Sequence, residues 1–229
     1  MPMRAATGAA AQPLHVSVRR VVALTIVCGF VEVIGYQDAG GIYPAIMTGN
    51  TVQLGASLAQ GAWARFALLA FAIGAFFAGC IAASLIRRHL RRPPLELCMM
   101  AALLVLAGVV RQHRELRVYA ELPLLALALG MQGETISRFG AVSLQTLVVT
   151  NNMVKFSDGF VGRYLCGRAG RAGRPPLAEV LLPGIAWLTY SVAAAAGALL
   201  ASRMSMPMLV PAALLALVTV DLLRRPEAS

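Results

Sequence analysis

The stretch FALLAFAIGAFFAGCIAA, Phe66 to Ala83, carries no charge and nothing more polar than a cysteine. Its length is close to the roughly 20 residues that a helix needs to cross about 30 Å of hydrocarbon. A helix suits such a stretch away from water because it pairs its own backbone N–H and C=O groups. A second run, Val180 to Leu200, has only Thr189, Tyr190 and Ser191 as polar interruptions. The whole chain shares the bias. Of its 229 residues 59% are hydrophobic and 13% charged, with a mean hydropathy of +0.73. Soluble domains are nearer half apolar and a quarter charged. A membrane barrel would show short alternating segments, and none is evident. The fold class expected is all-α, a polytopic transmembrane helical bundle.

Working outward, eight helical segments are predicted: six strongly apolar (20–37, 63–88, 95–111, 118–136, 177–202, 206–224) and two mixed (44–60, 143–166). Residues 1–18 form an expected flexible tail, and 19–225 a single transmembrane domain. Breaks fall at DAGG (38–41), RRPP (91–94) and GRPP (173–176), where Gly and Pro end helices. The net charge of +10 sits in short arginine clusters between apolar runs. That is the pattern of cytoplasmic loops rather than of a nucleic-acid groove, so no nucleic-acid partner is expected. If the two mixed helices do not cross, 15 Lys and Arg fall inside and 5 outside; if all eight cross, the split is 13 to 6. Both arrangements put both termini in the cytoplasm.

Several chemistries lack their residues. Cys28, Cys80, Cys98 and Cys166 are isolated, and the three histidines are scattered. No metal or cofactor site is expected. No GxxxxGK[ST], GxSxG or HExxH occurs, so neither an ATP site nor an enzyme is expected.

The polar window MTGNTVQLG, Met47 to Gly55, interrupts this apolar background. It has a counterpart in VTNNMVKFS, where Thr150 and Asn152 match Thr48 and Asn50 at an offset of 102, while Gly130 matches Gly29 at 101. The chain thus reads as two repeats, about 19–112 and 117–225. Three crossings per repeat would invert one against the other, a common transporter plan with the site near the midplane.

The residues Gly29, Phe30, Val31, Gly35, Gly40, Gly41 and Met47 to Thr51 resemble the pattern of the YoaK/DUF1275 family of bacterial integral membrane proteins. Gly130, Gln132, Thr146 and Thr150 resemble its second motif. Glu32 stands where the family usually has Asp, Gly133 where it has Asn, and Asn151-Asn152 where it has Gly-Thr. The resemblance implies a multi-pass protein of the bacterial inner membrane and no particular activity.

Ionisable groups at membrane depth are costly, about 2.5–3.5 kcal/mol on insertion scales, and usually face protein or water. Glu32 falls near mid-span, with Asp38, Glu134 and Asp221 nearer helix ends. The sharp reading joins Glu32, Thr48, Asn50, Thr51, Gln132, Thr150 and Asn152 as a site for a cation, proton or small polar solute. Gly40, Gly41 and Gly49 are the expected helix breaks. The alternative is that Thr and Asn fasten the bundle, with Gln132 partnering Glu32. Two functions follow: a small transporter or permease, or a non-transporting structural or regulatory membrane protein that binds partner proteins. Stripes of small residues (Gly74, Ala78, Ala82; Ala75, Gly79, Ala83; Ala193, Gly197, Ala201) suit either close packing or a homodimer face.

Overall fold

The computed structural model describes residues 14–90, 93–135, 138–139, 142–143, 149–165 and 174–224. Its helices are α1 (Leu14–Asp38), α2 (Met47–Ala59), α3 (Trp63–Leu90), α4 (Pro93–Val110), α5 (Leu122–Thr135), α6 (Val149–Phe160), α7 (Leu177–Ala201) and α8 (Leu209–Arg224). A π-helical turn, Arg117–Glu121, leads into α5, and another, Val161–Leu165, follows α6. Two helices, residues 63–89 and 177–201, are long and apolar enough to cross a membrane, with mean hydropathies of 2.3 and 1.6.

The expected segments and the observed helices agree in number, and they differ at their ends. The tail is shorter than expected, because helix already starts at Leu14, where Val16 and Ser17 are buried against the bundle. Residues 1–13 lie outside the described residues. The break expected at 91–94 falls between α3, which ends at Leu90, and α4, which Pro93 and Pro94 open; proline fits the first turn of a helix, whose N–H groups lack partners anyway. The second mixed segment is described as helix from Val149, and residues 144–148 lie outside the described residues. Before it, Arg138–Phe139 (β1) pairs antiparallel with Val142–Ser143 (β2), a two-residue pairing in an otherwise helical fold. Gly40 and Gly41 do break the chain, at φ +60° and +87°. Gly49 does not: it lies in the first turn of α2 against the Tyr43 ring, where an added Cβ would come within 3.1 Å.

Hydrogen bonds fix the direction of the six long helices. Arg111, just past α4, binds Asp38 at the end of α1 and the carbonyl of Ala201 at the end of α7. Arg65, near the start of α3, donates to Gly40 O, and Arg117, entering α5, donates to Asp38. Those five helix ends therefore share one end of the bundle. At the other, Arg19 and Arg20 near the start of α1 bind Asp221 in the last turn of α8. So α1, α4 and α7 run one way, and α3, α5 and α8 the other. The 13-residue α2 is only about 20 Å long. It starts inside the bundle beside Glu32 and leads back toward Arg65 at the end it came from.

The packing has a matched pattern. α1 lies mainly on α7 and α3 mainly on α5, while α2 rests on α3, α6 on α7, and α4 on α8. Glycine permits both long interfaces. A Cβ on Gly29 would sit 2.6 Å from Tyr190 O, and one on Gly130 would sit 2.2 Å from Phe76 O. Gly79 against Leu127 O and Gly197 against Phe30 O close the same interfaces from the other side. The stripes Ala75–Gly79–Ala83 and Ala193–Gly197–Ala201 thus serve contacts within the chain. Gly74 and Ala78 face outward, and a Cβ at Gly74 would touch nothing within 4 Å.

Gly130→Leu should therefore destabilise by at least the ~1–3 kcal/mol typical of overpacking, because its obstacle is backbone. Gly74→Leu should melt within about 0.5 kcal/mol of the parent. Thermal unfolding in detergent distinguishes the two; equal melting temperatures would refute the close-approach account.

Candidate functional site

The turn from α1 into α2 leaves backbone amides of half-buried Tyr43 and Ala45 and of exposed Ile46 without helical partners, and side chains of the turn supply them. Glu32 supplies two. Its Oε1 accepts from Ala45 N at 3.2 Å and Ile46 N at 3.1 Å, at the amino end of α2. An acid is favoured there by the positive end of the helix dipole. Asn50, fully buried, grips the same turn twice: Oδ1 accepts from Tyr43 N at 2.9 Å, and Nδ2 donates to Tyr43 O at 2.6 Å. Gln53 donates to Gly41 O and accepts from Arg65, whose other terminal nitrogen reaches Gly40 O. Tyr36 and Tyr43 stack across the turn with ring centroids 4.6 Å apart. Pro44 fills the space above Gly35, where an added Cβ would meet its ring at once.

Most of the polar window is thus engaged with its own turn. Thr51 donates to Met47 O one turn back, and Thr48 is exposed. Glu32 differs. It is 3% exposed, and its second oxygen, Oε2, is buried without a hydrogen-bond partner. Cys28, Tyr43 and Tyr190 lie within electrostatic reach of this carboxyl. Leaving such a group unmatched costs about 1–3 kcal/mol, more if charged.

The second half has a similar register. Asn50 is the fourth residue of α2, and Asn152 the fourth of α6; both are buried. Thr48 and Thr150 are both exposed second residues. Gln132 is buried in α5 and donates to Leu24 O at 2.7 Å, fastening α5 to α1. The structure therefore brings Glu32, Asn50 and Thr51 to one turn, with Asn152, Thr150 and Gln132 on α6 and α5. The side chain of Glu134 and residue Thr146 lie outside the described residues. Among the described residues no group of three or more His, Cys, Asp or Glu could hold a metal ion.

Sequence reading missed Tyr43, Tyr190 and Arg65. Arg65 looked like an ordinary loop charge. Its position 25 residues after Gly40 carries no local signal, because the bond forms only when α3 returns beside the turn. It also missed how helix ends are fastened by charge. Asp38 receives Arg111 at 2.5 Å and Arg117 at 2.8 Å, and Glu121, 1% exposed, stands 3.8 Å from Arg111. The opposite end has Arg20–Asp221 at 3.1 Å, with Arg19 on the same carboxylate.

If Asn50 clamps the turn, Asn50→Ala should leave the N–H and C=O of half-buried Tyr43 without their partner and cost about 1–3 kcal/mol. Thr48→Ala, at an exposed position, should cost under about 0.5 kcal/mol. Chemical denaturation of the detergent-solubilised protein checks both; equal losses would sink the assignment.

No curated protein and no solved structure matches the chain. One family does, DUF1275, described as a protein of unknown function, over residues 21–220. That match spans both halves, the turn at Glu32 and the Asp38–Arg111–Arg117 fastening, and stops just short of Arg19, Arg20 and Asp221. The chain belongs to the DUF1275 family.

Proposed function

We propose that the chain is a multi-pass protein of the bacterial inner membrane, with six crossings and both termini cytoplasmic. In this reading it is a small transporter or permease that passes an ion or small polar solute by way of Glu32. The observation that carries it is Glu32 Oε2, a buried carboxylate oxygen with no hydrogen-bond partner beside the amino end of a short helix. Such an oxygen is open to a proton or a cation. Half-helix ends at a buried polar site are a recurring transporter feature.

Other features support the membrane reading. Arg20 and Asp38 mark the two charged tiers on α1, 18 positions apart. That is about 27 Å of helix, near the ~30 Å of a hydrocarbon core. Between them α1 has one charge, Glu32. Three helices run each way and α2 turns back, which fits six crossings and the 15-to-5 division of positive charge. The first half starts with α1 running one way and the second with α5 running the other. Together with the swapped α1–α7 and α3–α5 interfaces, this supports an inverted repeat. The Asp38 and Asp221 clusters are then closures at opposite faces, and rocking of the halves would open one at a time. The bonding of Asn50, Gln53 and Thr51 to their own turn favours the second reading, a non-transporting membrane protein.

Two measurements test the proposal. In proteoliposomes under imposed proton, sodium or potassium gradients, the wild type should dissipate at least one gradient and Glu32→Gln should not. The glutamine keeps an acceptor for Ala45 and Ile46, so folding is spared. Flux by the variant at the wild-type rate, or no flux by wild type, would reject transport through Glu32. Single cysteines at Ala64 and Arg138, in a variant lacking the native four, should label from the periplasm and the cytoplasm respectively. Eight crossings would reverse both.

A further inference from the structure

We infer that the groove between the start of α1 and the last turns of α8 binds one anionic phospholipid. The groove has a volume of about 400 Å³. Its rim carries Arg19, Arg20 and Arg224 against one acid, Asp221. Among the described lining residues Asp221 is the one acid, and the exposed Arg19 and Arg224 together outweigh it. Arg20 is 1% exposed and held by Asp221, so it forms a fixed wall. Arg19 also touches Asp221, yet its side chain is 56% exposed. Each guanidinium has five N–H donors, so one carboxylate contact leaves Arg19 able to meet phosphate oxygens. Arg224 lies three residues after Asp221, on the same face of α8, and is exposed.

Below the rim the groove is apolar. Ala23 and Leu217 line it, and Leu217 is 66% exposed. Cationic rim and greasy wall match the two parts of a lipid: a phosphodiester at the arginines and an acyl chain along α8. A free phosphate would use only the rim. A zwitterionic lipid would bring its own cation to a rim already positive. Basic pockets between helices at a membrane interface are suited to anionic head groups. This inference rests on the membrane reading alone, and it holds whether or not Glu32 carries a solute.

The test is thermal unfolding of the purified full chain in detergent, with added phosphatidylglycerol, phosphatidylcholine or inorganic phosphate. A ligand that binds the folded state raises its melting temperature. Phosphatidylglycerol should raise that of the wild type, and the other two should leave it in place. Arg224→Glu and Leu217→Trp should each lose the increment, the first by reversing charge and the second by filling the groove. Leu217→Trp leaves the Arg20–Asp221 pair untouched and should melt as wild type in phosphatidylcholine, while the increment in Arg224→Glu is read against that variant's own melting temperature in phosphatidylcholine. Equal shifts with both lipids, an equal shift with phosphate, or an undiminished increment in both variants would each overturn the inference. Loss of flux in Glu32→Gln leaves this result untouched, so the two proposals fail separately.

Discussion

The backbone amides between α1 and α2 lie outside helical hydrogen bonding, and the course of the chain there depends on the side chains that pair them. Glu32 and Asn50 take the N–H groups of Ala45, Ile46 and Tyr43 and the carbonyl of Tyr43. Once those groups are paired, α2 can begin within the bundle and return to the end it came from. The return brings Arg65 onto Gly40 and Gln53 and sets the start of α3 beside the end of α1. Every later helix is placed relative to that return.

The same turn concentrates the chemistry. A carboxylate that caps a helix with one oxygen and leaves the other buried without a partner is a structural part and, in the proposed function, the group that would bind. Its worth to the fold comes from Oε1, and any exchange of protons or cations falls to Oε2. This separation is why the amide of glutamine can stand in for the first role and not for the second. Close helix contact adds rigidity nearby: Gly29 lets α7 approach until an added Cβ would sit 2.6 Å from Tyr190 O.

Much of this was legible in the sequence. The apolar runs fix where long helices lie, since a backbone away from water has few other ways to pair itself. The Thr-x-Asn repeat at an offset of 102 predicted that Asn50 and Asn152 would take like positions, and both are buried fourth residues of short helices. Helix ends were read less well. The break at 91–94 does separate α3 from α4, but Gly49 looked like a break and packs on Tyr43, and residues 142–143 pair as a strand.

Within the candidate site, residue types pointed to a polar cluster and left its partners open. Gln132 was a fair partner for Glu32 by chemistry, yet its amide reaches Leu24 O. By itself, then, the sequence determined the composition of each helix, the spacing of the two motifs and the one acid in the middle of α1. These follow from hydropathy and short-range periodicity. Tertiary structure alone decided that Asp38 meets Arg111, that Asp221 meets Arg20 from 201 positions away, and that one oxygen of Glu32 is taken and the other is not. Such contacts depend on distance in space between segments far apart in the chain, and no local pattern records that distance.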